Sequence, residues 1–260
     1  MIGPATLPGI VPDWPVANAV RAFVTTRAGG VSAGAFGLVD GAAGGLNLGD
    51  HVGDDADAVR ENRSRLEASL PGRVRWLRQV HGVAVHDADG PEPVEPPVAD
   101  AAVTTTPGTV VAVMTADCLP ILLADAQGRA VGVAHAGWRG LAAGVAETTV
   151  DALRARVGAD ARIQAWLGPA IGPTAFEVGD DVRQAFCDLD ASAATAFLPG
   201  PAAGKWWADL FALARLRLAS RGVTDVRGGA LCTVTDAARF YSHRRDRSSG
   251  RLASLVWLAR

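Results

Sequence analysis

Three nearly unbroken apolar runs, TVVAVMTA, LPILLAD and AVGVAHAG, follow one another between Thr109 and Gly137. A strand with one wet face shows a polar residue at every second position; these runs do not, so they predict strands covered on both faces. The stretch 110–124 is interrupted by Asp117 and Pro120 and is a poor membrane span. Covering both faces of a sheet requires further layers, and helical patterns supply them. RGLAAGVAETTVDALRARVG spaces Leu141, Val145, Thr148, Ala152 and Val157 near the helical period and stops at a glycine. GGLNLGDHVGDD delivers Asp54 and Asp55, suited to a cap and first turn, to DADAVRENRSRLEASL, which sets Val59, Leu66 and Leu70 on one side before Pro71 and Gly72. DVRQAFCDL reads as a short helix and KWWADLFALARLRLASRG as a longer one. RAFVTTR, VRWLRQV with VAVHD, RIQAWLG and the C-terminal RLASLVWLA read as strands. AGGVSAGAFG reads as a flexible loop without a phosphate-loop lysine, and PEPVEPPVAD as a surface loop.

The expected architecture is therefore α/β, or α+β: a mixed-sheet multilayer sandwich forming one domain over residues 1–260, with 1–20 as an N-terminal extension. A formal net charge of −2 and a pI near 6.2 argue against a nucleic-acid binder, which needs a basic surface. The N-terminus, MIGPATLPGIVPDW, carries prolines where a secretory apolar core would run. Cys118, Cys187 and Cys232 make an odd set with no close pair, as in reducing compartments, so a soluble cytoplasmic protein is expected. Cys187 and Cys232 are expected to be buried.

His81, Cys118 and His135 each lie where an apolar run gives way to small or turn residues, in QVHG, TADCLP and AHAGWRG. Strand ends are where loops converge into sites, and two imidazoles with one thiolate form a donor set used by catalytic zinc, with a fourth position open. The same residues also read as scaffold, because a cysteine in an apolar run is ordinarily a small hydrophobe and no CxxC or HExxH spacing ties the three together.

The blocks TTRAGGVS, NLGDHVGDD, RQVHG, VMTADCLPILLAD, AHAGWRGLAAGV, WLGPAIGP, AFEVGDDVRQAF and SHRRDRSSGRLASLVWL, in this order, resemble those of the YfiH family of laccase-domain proteins. The resemblance runs from about Arg21 to Arg260, with HAGWRG and TADCLP its most specific blocks. It implies a YfiH-like, cysteine-hydrolase-type fold with a catalytic zinc on His81, Cys118 and His135. It further implies phosphorolysis of adenosine, inosine and methylthioadenosine, together with adenosine deamination; some members are linked to editing of peptidoglycan precursors. The partners implied are purine nucleosides and phosphate; oligomeric state is not legible.

Two other chemistries compete. The family is also labelled polyphenol oxidase or laccase, but five histidines, His51, His81, His86, His135 and His243, are too few for a blue copper plus a three-copper centre. A single copper on His81, Cys118, His135 and an axial Met114 has the right donors, although Met114 lies far along the pleat from Cys118. The third chemistry is metal-free, with Cys118 as nucleophile, His135 as base and Asp117 as a possible orienting group.

For substrate, phosphate needs cationic partners, and Arg27, Arg139, Arg244 and Arg245 are four of the arginines inside family-like blocks. Arg27, Arg139 and Arg244 are taken forward as substrate-binding, together with Asn47, which could meet ribose hydroxyls or cap a turn. His51 is placed at the pocket and His86 in solvent. Trp138 could stack on a purine or plug the helix, and His243 stands where the family more often has a tyrosine.

Overall fold

The computed structural model describes residues 7–260, so the start of the expected N-terminal extension lies outside the described residues. Strands β1 (Gly9–Ile10), β2 (Val20–Thr25) and β3 (Ala28–Ser32) lead to helix α1 (Ala56–Glu67). Short strands β4 (Val74–Arg75), β5 (Val85–Asp87) and β6 (Ala101–Thr104) precede the three apolar runs, β7 (Val110–Thr115), β8 (Leu119–Asp125) and β9 (Val131–Ala136). Then come α2 (Trp138–Ala143), α3 (Val145–Val157), β10 (Ile163–Leu167), β11 (Glu177–Gly179) and α4 (Asp180–Cys187). The chain ends through β12 (Phe197–Pro199), β13 (Lys205–Ala208), α5 (Leu210–Ala219), β14 (Val226–Gly228), α6 (His243–Asp246) and β15 (Leu252–Leu258).

A five-stranded sheet, β1-β2-β15-β7-β4, stacks on a six-stranded one, β14-β10-β8-β9-β6-β5, and β11-β13-β12 form a small third sheet. Both large sheets are mixed, because β4 joins β7 and β5 joins β6 in parallel within otherwise largely antiparallel ladders. The period-two alternation of side chains explains the unbroken apolar runs. From β8, Leu119, Ile121 and Leu123 pack with Leu141, Val150, Leu153 and Leu213 of α2, α3 and α5, whereas Leu122 and Ala124 face the other large sheet. In β7 the odd residues Val111 and Val113 enter that space between sheets, while Val110, Ala112 and Met114 pack with Leu66 of α1. The result is a four-layer arrangement of helix, sheet, sheet and helices, the mixed α/β sandwich expected from the sequence.

Several local expectations are corrected. AGGVSAGAFG is not a flexible loop: Ala28 and Ser32 bridge to Gly45, and the Gly29 and Gly30 N–H groups both donate to the Gly44 carbonyl at 3.0 Å. At Gly30 a Cβ would collide with the Gly45 carbonyl and Asn62, so the glycine is needed for close approach. The helix after His135 is broken at Gly144, whose φ of 104° ends α2 and starts α3. KWWADLFALARLRLASRG divides into β13 and α5, because the Asp209 side chain accepts from Phe211 and Ala212 N–H groups and caps the helix. Only Val74 and Arg75 of VRWLRQV form a regular strand. Helix α1 does start at a capping Asp55, while Asp54 instead accepts from Ser32 Oγ at 2.7 Å and Asn47 Nδ2 at 2.9 Å. Cys187 and Cys232 are half-buried free thiols rather than buried ones.

Candidate metal centre

Three connections deliver the donors. His135 is near the end of β9, paired with Pro120 in β8, so its backbone is fixed by the sheet. Cys118 occupies the short connection from β7 to β8, after Asp117, whose φ of 89° reverses the chain there. That left-handed backbone is held by the Asp117 carboxylate, which accepts from Thr233 Oγ1 and the Arg244 N–H at 2.6 Å each. Asp117 therefore holds the turn and does not orient His135. His81 is in a loop tied to β7 by Gln79, whose side-chain amide donates to the Met114 carbonyl at 2.8 Å and accepts from the Met114 N–H at 2.7 Å.

Asp100, fully buried just before β6, joins two of these connections. Its carboxylate accepts from the N–H groups of Val80, His81 and Gly82 at 3.1, 2.9 and 2.7 Å, and meets His135 Nδ1 at 2.8 Å. Three backbone N–H groups on one carboxylate fold the loop around His81, which adopts φ 61°. Occupying Nδ1 of His135 leaves its Nε2 for the site, the arrangement by which carboxylates orient metal-binding imidazoles.

The donor atoms of His81, Cys118 and His135 all lie within 4.8 Å of one another, and among the described residues this is the one such cluster. Cys118 Sγ is 3.8 Å from His81 Nε2, close to the separation of two ligands on one tetrahedral zinc with bonds of about 2.0–2.3 Å. The imidazole rings meet edge to face, with centroids 4.7 Å apart. Gly137 permits this convergence: a Cβ there would lie 2.8 Å from His81 Cδ2 and 3.0 Å from Cys118 Sγ. Burial opposes ionisation of the Cys118 thiol, yet the charge of His135 and hydrogen bonds from both histidines bring its pKa below the usual thiol value. Burial likewise works against a charged His135, but the Cys118 charge and the Asp100 hydrogen bond raise its pKa. The donor set fits a divalent metal with borderline-soft ligand preference.

The cluster lies on the wall of a cavity of about 1040 Å³. Of the sequence-selected substrate residues, Arg139 lines it, whereas Arg27, Asn47 and Arg244 do not. Arg27 is buried under Tyr241, with Nε donating to the Gly37 carbonyl at 2.8 Å. Asn47 is fully buried among backbone groups, and Arg244 Nη1 donates to the Glu177 carbonyl at 3.2 Å. Arg245 is likewise taken up by Asp246 and the Thr233 carbonyl. His51 and His243 line the cavity, while His86 is half-buried in β5 rather than solvated. Trp138 is half-buried against the core with Arg139 over its ring at 4.4 Å, as a plug. Sequence reasoning missed Arg63, Trp76, Arg78, Gln79 and Arg251 in the lining, and Asp100 behind it. The available signal for Asp100 was an acidic residue directly before the apolar run AAVTTT.

Residues 21–259 match the family model described as multi-copper polyphenol oxidoreductase laccase. The purine nucleoside phosphorylase YfiH of Escherichia coli is 50% identical, aligned over 96% of this chain and 98% of its own. A purine nucleoside phosphorylase of Pseudomonas aeruginosa is 53% identical over 96% and 98% of the two chains. The chain belongs to the YfiH family. Among solved structures of that fold, a Neisseria meningitidis protein superposes with a TM-score of 0.87 at 47% identity, covering 97% of this chain and 99% of its own. YlmD of Geobacillus stearothermophilus, 30% identical, gives 0.80 over 97% of this chain and 100% of its own.

Proposed function

We propose that the chain is a zinc-dependent purine nucleoside phosphorylase acting on adenosine, inosine and methylthioadenosine, with adenosine deaminase activity, and that His81, Cys118 and His135 hold the metal. The observation that carries this reading is the convergence of three donors on the wall of one large cavity, in a chain about half identical to relatives named purine nucleoside phosphorylase. The multi-copper description fits the donors less well. The five histidines cannot furnish both copper centres, and the Met114 sulfur meets Arg63 Nη2 at 4.0 Å, a cationic neighbour unsuited to an axial copper ligand.

When bound, zinc supplies Lewis acidity toward the base in phosphorolysis and toward water in deamination. Phosphorolysis breaks the bond between the ribose anomeric carbon and the purine, whose nitrogen keeps the electron pair and takes a proton, while a phosphate oxygen bonds to that carbon. The sugar becomes cationic as the base becomes anionic, so both charges need complementary partners. Arg63, Arg78, Arg139 and Arg251 outnumber the carboxylates Asp50 and Glu95 in the cavity lining, leaving it cationic in a protein of net charge −2. Asp100 keeps His135 and the His81 loop in one orientation through the reaction. Residues 1–260 act as one domain in this reading, in the cytoplasm; the cysteines are free thiols, and among the described residues no helix is long and apolar enough to cross a membrane.

A metal-free cysteine hydrolase is the second reading, favoured by the Cys118, His135 and Asp100 series with its lowered thiol pKa. Chelation separates the two. Incubating the protein with the three nucleosides, with and without phosphate, is expected to give phosphate-dependent base release that a chelator abolishes and zinc restores. Turnover indifferent to the chelator, with the metal verifiably removed, would favour the hydrolase.

A further inference from the structure

The four arginines of the cavity differ in how their charge is satisfied. Arg63 is committed, with Nε donating to the Leu48 carbonyl at 2.9 Å, Nη2 at 3.1 Å from the Asp50 carboxylate and its guanidinium over Trp76. Arg78 and Arg139 are exposed, so water solvates their guanidinium groups. Arg251 is the exception. It is half-buried, its Nη1 donates to the Ser249 and Gly250 carbonyls at 2.8 and 3.1 Å, and among the described residues no carboxylate pairs with it. Its Nε and Nη2 make no hydrogen bond among the described residues, although it lines the same cavity as Cys118.

Arg251 is also held in place. Its backbone N–H donates to Asn47 Oδ1 at 2.8 Å, and the same oxygen accepts from the Gly49 N–H at 2.9 Å. Its stem lies across Gly49, where a Cβ would sit 2.7 Å from Arg251 Cγ. Asn47 therefore acts through Arg251 as a positioning residue, without reaching the cavity itself. A cation partly removed from water, pinned by a turn and without a carboxylate in direct contact favours an anion beside it. Two adjacent free N–H groups form the fork that takes two oxygens of one phosphate.

Building on the phosphorylase reading, we infer that Arg251, clamped by Asn47 and Gly49, receives the inorganic phosphate co-substrate, with Arg78 and Arg139 adding charge at the cavity surface. Arg27, buried against backbone carbonyls, and Arg244 do not line this cavity.

The test uses the full metal-loaded chain, titrated with inorganic phosphate by calorimetry and assayed with inosine at varied phosphate. Arg251→Met is expected to weaken phosphate binding and raise the Michaelis constant for phosphate by about tenfold or more, with metal content unchanged. Because Arg251 also supports two carbonyls, Arg251→Lys provides a second variant that keeps the charge and loses the fork, with an expected loss of about three- to tenfold. Arg65→Met, on the exposed face of α1, controls for net charge. Wild-type phosphate affinity in either Arg251 variant overturns the assignment, as does a wild-type protein that binds no phosphate. A wild-type protein that binds phosphate through Arg251 yet forms no ribose 1-phosphate upholds the subsite and removes the phosphorylase reading.

Discussion

Replacing Asp100 with Asn is the sharpest test of how the site is held together. The carboxylate accepts four hydrogen bonds, two on each oxygen: His81 N–H and His135 Nδ1 on Oδ1, and the Val80 and Gly82 N–H groups on Oδ2. An Asn side chain has one acceptor oxygen, so its NH2 group must face two donors whichever way it is turned. With NH2 toward His135, the imidazole must present a lone pair at Nδ1 and carry its proton on Nε2, the nitrogen left for the metal. With NH2 toward the loop, the Val80 and Gly82 N–H groups lose their partner. Two charge-assisted hydrogen bonds of about 1.5–3 kcal/mol each are at stake, and relaxation recovers part, giving a destabilisation of about 2–4 kcal/mol. At about 2–4 °C per kcal/mol, the unfolding midpoint falls by roughly 5–15 °C. Metal affinity is expected to drop about 10–100-fold, the usual cost of losing an orienting partner. Thermal unfolding and competition with a chromophoric chelator measure both. A variant with unchanged midpoint and unchanged metal affinity would refute the role given to Asp100.

Other consequences follow from single positions. Gly137→Ala places a methyl group against His81 and Cys118, so metal content is expected to fall while the far-ultraviolet spectrum is kept. Ile121→Ala empties a fully buried site between the six-stranded sheet and its helices, with an expected loss of about 2–5 kcal/mol by urea unfolding and no change in metal stoichiometry. At Asp89 burial would raise the pKa, but hydrogen bonds from Thr104, Thr105 and Thr106 outweigh it and lower the value to about 2. A depressed carboxylate contributes stability above its unfolded pKa near 3.9, lost as pH falls through the folded value. The stability gap between wild type and Asp89→Asn should therefore shrink between about pH 5 and pH 2, and a constant gap would contradict the assignment.

The layered fold was legible because strands buried on both faces leave short, unbroken apolar runs rich in β-branched residues, as in β7, β8 and β9. The breaks inside helical patterns were harder. Gly144 inside RGLAAGVAET and Asp209 inside KWWADLF each sit in a stretch whose apolar spacing reads as continuous helix, and it is the backbone at Gly144 and the pairing of Trp206 with β11 and β12 that decide the boundary. The three donors were visible where apolar runs end, although His81 lies in a loop beyond its strand, and their convergence is what the sequence spacing could not give. The roles of Asp100 and Arg251 could not be read for a related reason. Their roles depend on distant partners, Val80 to Gly82 and His135 for one, Asn47 and Gly49 for the other, brought together only by the sheets. Arg27 shows the converse, since a position in a family-like block says nothing about whether a guanidinium faces a cavity or a set of backbone carbonyls.

The central claim is that one zinc on His81, Cys118 and His135 supports phosphorolysis. Metal analysis and inosine phosphorolysis, measured together on wild type, Cys118→Ala and Cys187→Ala, test it most directly. About one zinc per chain is expected in wild type and Cys187→Ala, with phosphorolysis in both, since three protein donors leave one position open. Cys118→Ala is expected to lose most of the metal and the activity together. Phosphorolysis near the wild-type rate from a Cys118→Ala protein without zinc, or two to four coppers per wild-type chain, would contradict the account.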